Sequence, residues 1–221
     1  TEKQFRQEFL ATFETEDNRV AAQFSRETHV VDTPKDINTD IIYCGMDFNV
    51  QPMTVSIGVQ TSKESMLIID ELNVYSSNTD EIADEILNRY PRSKVFVFPD
   101  PAGAQRKTSA NGMTDHKILE NRGFIVKAPR RHDPVRDRIN ATNARFLNAN
   151  GDVNLTVTKN CKYTIESLDK HSFKPGTMIP DKDSGYDHMF DALSYMIAYL
   201  YPIRKNIDTV QTPQRWGHAI R

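Results

Sequence analysis

The chain has 221 residues, with 28 Lys/Arg against 30 Asp/Glu, a net charge of −2, 38% hydrophobic and 26% charged residues, enough for one or two domains with a substantial core. Its longest apolar run, around Met196 to Leu200, is far short of the ~18 residues of a membrane span and no signal-peptide core opens it, so a soluble, non-exported protein with no membrane partner is expected. Two cysteines, Cys44 and Cys161, without a Cys-x-x-Cys spacing, exclude a disulfide framework and a structural zinc site and suit a reducing compartment.

Phe5, Phe9, Leu10 and Phe13 recur at helical spacing, and a polar stretch with Pro34 then runs to Asp40, so residues 1–40 are read as a helix and a linker. From Ile41 the pattern is strand-like: Ile41–Phe48, Met53–Val59 and Met66–Val74 are short, apolar or β-branched, and predict an antiparallel meander. Asn78-Thr79-Asp80-Glu81 is an N-cap with an acidic first turn, leading into Ile82, Ile86, Leu87 and Tyr90 at helical spacing. Lys94–Phe98 is a strand that Pro99-Asp100-Pro101 must end, because prolines cannot donate to a ladder. A helix around Thr114–Arg122 closed by Gly123, a strand Phe124–Lys127 and a helix from about Asp133 to Asn150 follow, the last with Val135, Ile139, Phe146 and Leu147 inward. Val153–Val157 is a further strand, Cys161–Lys170 a helix, Ser172–Ser184 a loop, and Tyr186–Tyr201 an apolar helix stopped by Pro202. One α/β unit therefore spans 41–203, and 204–221 is read as a mobile tail.

This order predicts an α/β protein with a mixed sheet of five or more strands and helices on both faces, compatible with the ribonuclease H-like fold. In that fold a meander strand lies beside the first parallel strand, and residues late on the two strands meet. Charge is unevenly spread along the chain: residues 101–150 carry 10 Lys/Arg against 4 Asp/Glu, whereas residues 1–100 carry 9 against 18. The basic block reads equally as a polyanion site or as a solvated helix face.

Asp47 ends an apolar strand, where a carboxylate is costly unless paired or bound to a cation; the alternative is a cap on the turn at 49–52. Asp100 is the first acid after the next long strand, and its alternative is a Pro-Asp-Pro turn. Two carboxylates converging at strand ends repel unless a divalent cation neutralises them, and oxygen ligands suit Mg²⁺ or Mn²⁺. Asp187, His188 and Asp191 share one side of a helix start, where the dipole favours anions. Capping explains Asp187 well and Asp191 less well, since Asp191 lies a full turn into an apolar stretch. His116, His132, His171 and His218 lack metal-ligand spacing, and Tyr195, Tyr199 and Tyr201 read as packing residues.

Gly45-Met46-Asp47-Phe48, Phe96-Val97-Phe98-Pro99-Asp100, Lys127-Ala128-Pro129-Arg130-Arg131 and Asp187-His188-x-x-Asp191-Ala192-Leu193-x-Tyr195, in this order from about residue 41 to 201, resemble the nuclease domain of a tailed-bacteriophage terminase large subunit. Residues 1–40, with Phe5-Arg6-Gln7-Glu8-Phe9, resemble the segment that joins the packaging ATPase to the nuclease in that family, and no Gly-x-x-x-x-Gly-Lys-Ser/Thr loop occurs in the chain. The resemblance implies a metal-dependent endonuclease that cuts concatemeric double-stranded viral DNA in the cytoplasm of the infected host, with the terminase small subunit and procapsid portal as partners. Asp47, Asp100 and Asp191 match the family's acidic triad, with Asp187 and His188 as further candidates; where many relatives carry Asp-Asp at the helix start, this chain has Asp-His. Two metal ions would serve the chemistry, and Arg106, Lys107, Lys127, Arg130, Arg131, Arg136 and Arg138 are the expected phosphate contacts. Two other readings stay open. One is a different nuclease or transferase of this fold, such as a resolvase or exonuclease, although a proofreading enzyme would carry Asp-x-Glu where Asp47-Phe48-Asn49 stands. The other is a non-catalytic DNA- or capsid-binding module, against which the set of three acids argues.

Overall fold

The computed structural model describes residues 18–105, 113–129 and 133–203. The helix expected around Phe5–Phe13, the C-terminal tail and the basic residues Arg106, Lys107, Arg130 and Arg131 lie outside these ranges. Within the stretch read as a linker, residues 18–31 depart from expectation. Val20, Ala21 and Phe24 are buried in the core, and after the short helix α1 (Arg26–His29) the strand β1 (Val30–Val31) pairs in parallel with Leu155–Thr158. These three apolar residues fall within five positions, too short a window for periodicity to read as an element, yet each removes apolar surface from water.

The meander is present as expected. Strands β2 (Ile41–Asp47), β3 (Met53–Gln60) and β4 (Met66–Val74) pair antiparallel in sequence order. Helix α2 (Thr79–Arg89) starts at Asn78, whose side chain accepts from the Glu81 N–H, and leads to β5 (Lys94–Pro99). A 3₁₀ turn (Pro101–Ala104), α3 (Asp115–Asn121) and β6 (Ile125–Val126) follow. Then come α4 (Val135–Phe146), β7 (Leu155–Thr158), α5 (Lys162–Lys170) and α6 (Asp187–Leu200). The seven strands lie in the order β1-β7-β4-β3-β2-β5-β6, and every neighbouring pair outside the meander is parallel. Among the described residues no helix is long and apolar enough to cross a membrane.

Strand alternation divides the core into two layers. Ile42, Cys44 and Met46 of β2, with Val55 and Ile57 of β3, face α2 and α3 through Ile82, Ile86 and Leu119. On the other side, Met66, Ile68 and Phe98 pack against α4, α5, α6 and the 18–24 segment through Ile139, Leu168, Leu193 and Ile197. Cys44, expected in the core, is fully buried, and burial pushes its thiol up.

Helix α4 is shorter than expected and its inward stripe is different. Val135 and Leu147, expected inward, are each 41% exposed. Val135 lies on the first turn beyond Pro134, and Leu147 has already left the helix in extended backbone. The buried positions are Arg138, Ile139, Ala141, Thr142 and Phe146, so a charged residue occupies a place that an apolar pattern would not assign.

Candidate active site

Tyr43, Gly45 and Asp47 alternate with the buried Ile42, Cys44 and Met46, so Asp47 shares the α6 side of the sheet. Strands β2 and β5 run parallel with Met46 opposite Pro99, and the Asp100 N–H donates to the Met46 carbonyl at 2.9 Å. Asp47 and Asp100 therefore leave adjacent strands at the same level. Helix α6 crosses this end of the sheet at close range, which Gly45 permits: a Cβ there would collide with the Ala192 carbonyl oxygen and stand 3.0 Å from Met196 Cβ. The Thr54 hydroxyl donates to the His188 carbonyl at 3.0 Å and fixes the first turn of the helix.

One open cleft of about 670 Å³ is lined by Asp47, Asp100, Asp187, His188 and Asp191, together with Asn49, Asp115, Lys182 and Tyr195. His188 Nδ1 lies 3.2 Å from Asp47 Oδ2 and its Nε2 3.8 Å from Asp187 Oδ1, while the Asn49 amide nitrogen is 2.9 Å from Nε2. Lys182 Nζ stands 3.5 Å from Asp191 Oδ2 and 4.0 Å from Asp187 Oδ2. Burial holds the Asp47 carboxyl above the usual range, only partly offset by His188 and reinforced by Asp191 and Asp100. Burial also raises Asp187. The hydrogen bond that His188 Nδ1 donates to Asp47 is the main reason that His188 holds its proton more tightly than a free imidazole.

The contacts of the two strand acids bear on their capping alternatives. Asp47 turns its carboxylate to His188. Asp100 does cap its turn, accepting from the Ala102 N–H at 2.9 Å through Oδ1, and His116 Nε2 grips the Asp100 carbonyl at 3.0 Å. Asp187 is the acid of the first turn of α6, but not its N-cap, which is Tyr186 and makes no side-chain cap bond. It also lines the cleft, 2% exposed and with Oδ1 lacking a hydrogen-bond partner, which helix-start placement alone does not explain.

Among the expected phosphate contacts, Lys127 and Arg136 are exposed. Arg138 is not a surface cation: it is 5% exposed and donates to Asp191 Oδ1 at 3.0 Å, since its helix turns that position toward α6. Sequence reading also missed Asn49, Asp115 and Lys182 and took Tyr195 for packing. Asp115 is buried and accepts from the Thr79 hydroxyl at 2.7 Å; it comes from a helix start and Lys182 from a long loop, where no spacing signals proximity to the acids. Asn49, two residues after Asp47, was the one with a local signal.

The donor set is one that a hard divalent cation takes: carboxylate oxygens with a single imidazole, and a buried oxygen of Asp187 without a hydrogen-bond donor. As the side chains stand, no three such groups among the described residues are placed to share one ion, and Arg138, Lys182 and His188 neutralise the carboxylates.

The fold defines a class: the chain has the ribonuclease H-like fold in the form found in phage large terminase nuclease domains. It superposes on the P22 large terminase nuclease domain with a TM-score of 0.63 at 15% identity, covering 83% of this chain and 94% of that one. The nuclease domain of the Thermus phage P74-26 large terminase gives 0.53 at 14% identity, with 81% and 94% covered. The large terminase of a thermophilic bacteriophage gives 0.61 at 16% identity over 82% of this chain, which spans 45% of that protein. No sequence-family model and no curated protein sequence matches the chain.

Proposed function

We propose that this chain is a divalent-cation-dependent endonuclease that cuts double-stranded DNA, serving as the nuclease part of a phage packaging motor that acts on concatemeric genomes in the host cytoplasm. The observation that carries this reading is the convergence of Asp47, Asp100, Asp187 and Asp191 in one cleft, within a fold shared with terminase nuclease domains. Four carboxylates gathered in one cleft repel one another, and Arg138, Lys182 and His188 offset that charge only in part, which leaves a set of oxygens that favours divalent cations.

Asp47, Asp100 and Asp191 are the proposed ligands of Mg²⁺ or Mn²⁺, with Asp187 as a fourth and two ions in all. Bound divalent ions would supply the activation of water and the stabilisation of the departing 3′-oxygen. The chain's own residues hold and orient. Asn49 and Asp47 fix the imidazole of His188, which is placed to hold or deliver a proton at the cleft. Lys182 balances Asp187 and Asp191 and must withdraw for an ion to reach them. Lys127 and Arg136, with Arg106, Lys107, Arg130 and Arg131 proposed from sequence, contact backbone phosphates, so cutting should be largely indifferent to sequence. In the whole motor, the chain ahead of residue 18 would connect to the ATPase, with small subunit and portal as partners.

Supercoiled plasmid incubated with the protein and Mg²⁺ or Mn²⁺ should be nicked or linearised, and a chelator should stop the reaction. Undiminished cutting in excess chelator would overturn the proposal.

A further inference from the structure

A guanidinium leaves water only where its charge is opposed and its donors are used. Arg138 has its charge opposed by Asp191, and the partners of its Nη1 lie on one turn of α6. It donates to Asp191 Oδ1 at 3.0 Å and to the Ser194 hydroxyl, and its planar head lies over the Tyr195 ring, 4.2 Å from the centroid. The ring holds the guanidinium in place, and its single nitrogen Nη1 reaches both Asp191 Oδ1 and the Ser194 hydroxyl. Asp191 Oδ2 is then the oxygen on the cleft side, 3.5 Å from Lys182 Nζ. The fully buried Ser194 hydroxyl is accounted for by the same arrangement, accepting from Arg138 and donating to the Asp191 carbonyl.

We propose that Arg138 is a positioning residue for Asp191: it clamps one carboxylate oxygen, presents the other to the cleft in a single orientation, and lowers the negative charge of the cluster. The inference rests on the cleavage reading above. It differs from the phosphate-contact role that the basic segment suggests.

The test uses the full chain with Arg138→Gln, Arg138→Lys and, as the phosphate-contact comparison, Arg136→Gln. In chelator, the dependence of DNA binding on salt should keep its wild-type slope in Arg138→Gln and lose about one unit in Arg136→Gln. With saturating Mn²⁺, Arg138→Gln should cut about a hundredfold more slowly at unchanged KM for DNA, the mark of an interaction that matters after binding. Calorimetry should find Mn²⁺ bound several-fold more tightly by this variant, because a positive charge beside Asp191 has gone. Tighter metal with slower turnover is not what a loosened fold produces. If Arg138→Gln does not fold, Arg138→Lys, which keeps the charge but not the planar fork, should still cut more slowly at unchanged KM. A slope lowered by about one, or a kcat within twofold of wild type in the folded variant, would overturn the inference. Absence of Mn²⁺ binding by the wild type would overturn the cleavage reading, and the inference with it.

Discussion

Asp47 is held between three influences: burial, the nearby carboxylates, and the imidazole of His188. Asp47→Asn keeps a hydrogen-bonding side chain while removing the charge, so cleavage should fall by more than about a hundredfold while the unfolding temperature in chelator is no lower than wild type. Parallel plasmid assays and thermal melts check this. The pH dependence follows from the same contacts. Asp47 and Asp187 are raised by burial and His188 by its bond to Asp47, so in each case the folded state binds its proton more tightly than the unfolded chain. Their contribution is fully present below the unfolded values, roughly 3.9 for the carboxyls and 6.5 for the imidazole, and is lost as pH rises through the folded values. Melts in chelator between about pH 5 and 8 should therefore show stability declining with pH, less steeply in Asp47→Asn. Along α6 the losses should be graded: Asp191→Asn abolishes cutting at any metal concentration, Asp187→Asn costs less, and His188→Ala leaves partial activity with a shifted Mg²⁺ to Mn²⁺ preference. Normal cutting by Asp191→Asn with a dead Asp187→Asn would move the principal ligand one turn back. Asp47, Asp100 and Asp191 were legible because a carboxylate inside or directly after an apolar segment is costly without a partner. Arg138 was not, because a count of basic residues does not say which of them a helix turns inward.

At the scale of elements, the close crossing of β2 and α6 brings the acids together. A Cβ at Gly45 of β2 would meet the α6 backbone at Ala192, so Gly45→Ala should cost about 1–3 kcal/mol by overpacking and should reduce cutting by displacing Asp191 from Asp47. Denaturant unfolding and plasmid assays read the two effects separately. Most elements were legible from period and punctuation: the meander from alternating β-branched residues, α2 from its Asn78 cap, and the end of β5 from Pro99 and Pro101. The two-residue strands β1 and β6 carry too little pattern to fix their ends, and Val20 and Phe24 join the core only through tertiary packing. Helix α4 was misphased because its inward face admits Arg138.

For the molecule as a whole, a net charge of −2 hides a division between an acidic cleft and a basic segment, and a DNA-cutting protein needs both. Lys127→Ala with Arg136→Ala should weaken DNA binding evenly across sequences and lower its salt slope by roughly one to two units; an unchanged slope would assign both to plain solvated surface. The ordering of parallel strands around the meander was legible as a class, since alternating β and α units admit few topologies, whereas the seating of Lys182 over the acids depends on a loop whose course no local rule sets. The measurement that bears most directly on the proposed function is plasmid cleavage by wild type and Asp100→Asn side by side in Mn²⁺. Metal-dependent cutting by the wild type and none by the variant is the expected result; equal cutting by both would contradict the assignment of chemistry to this cleft.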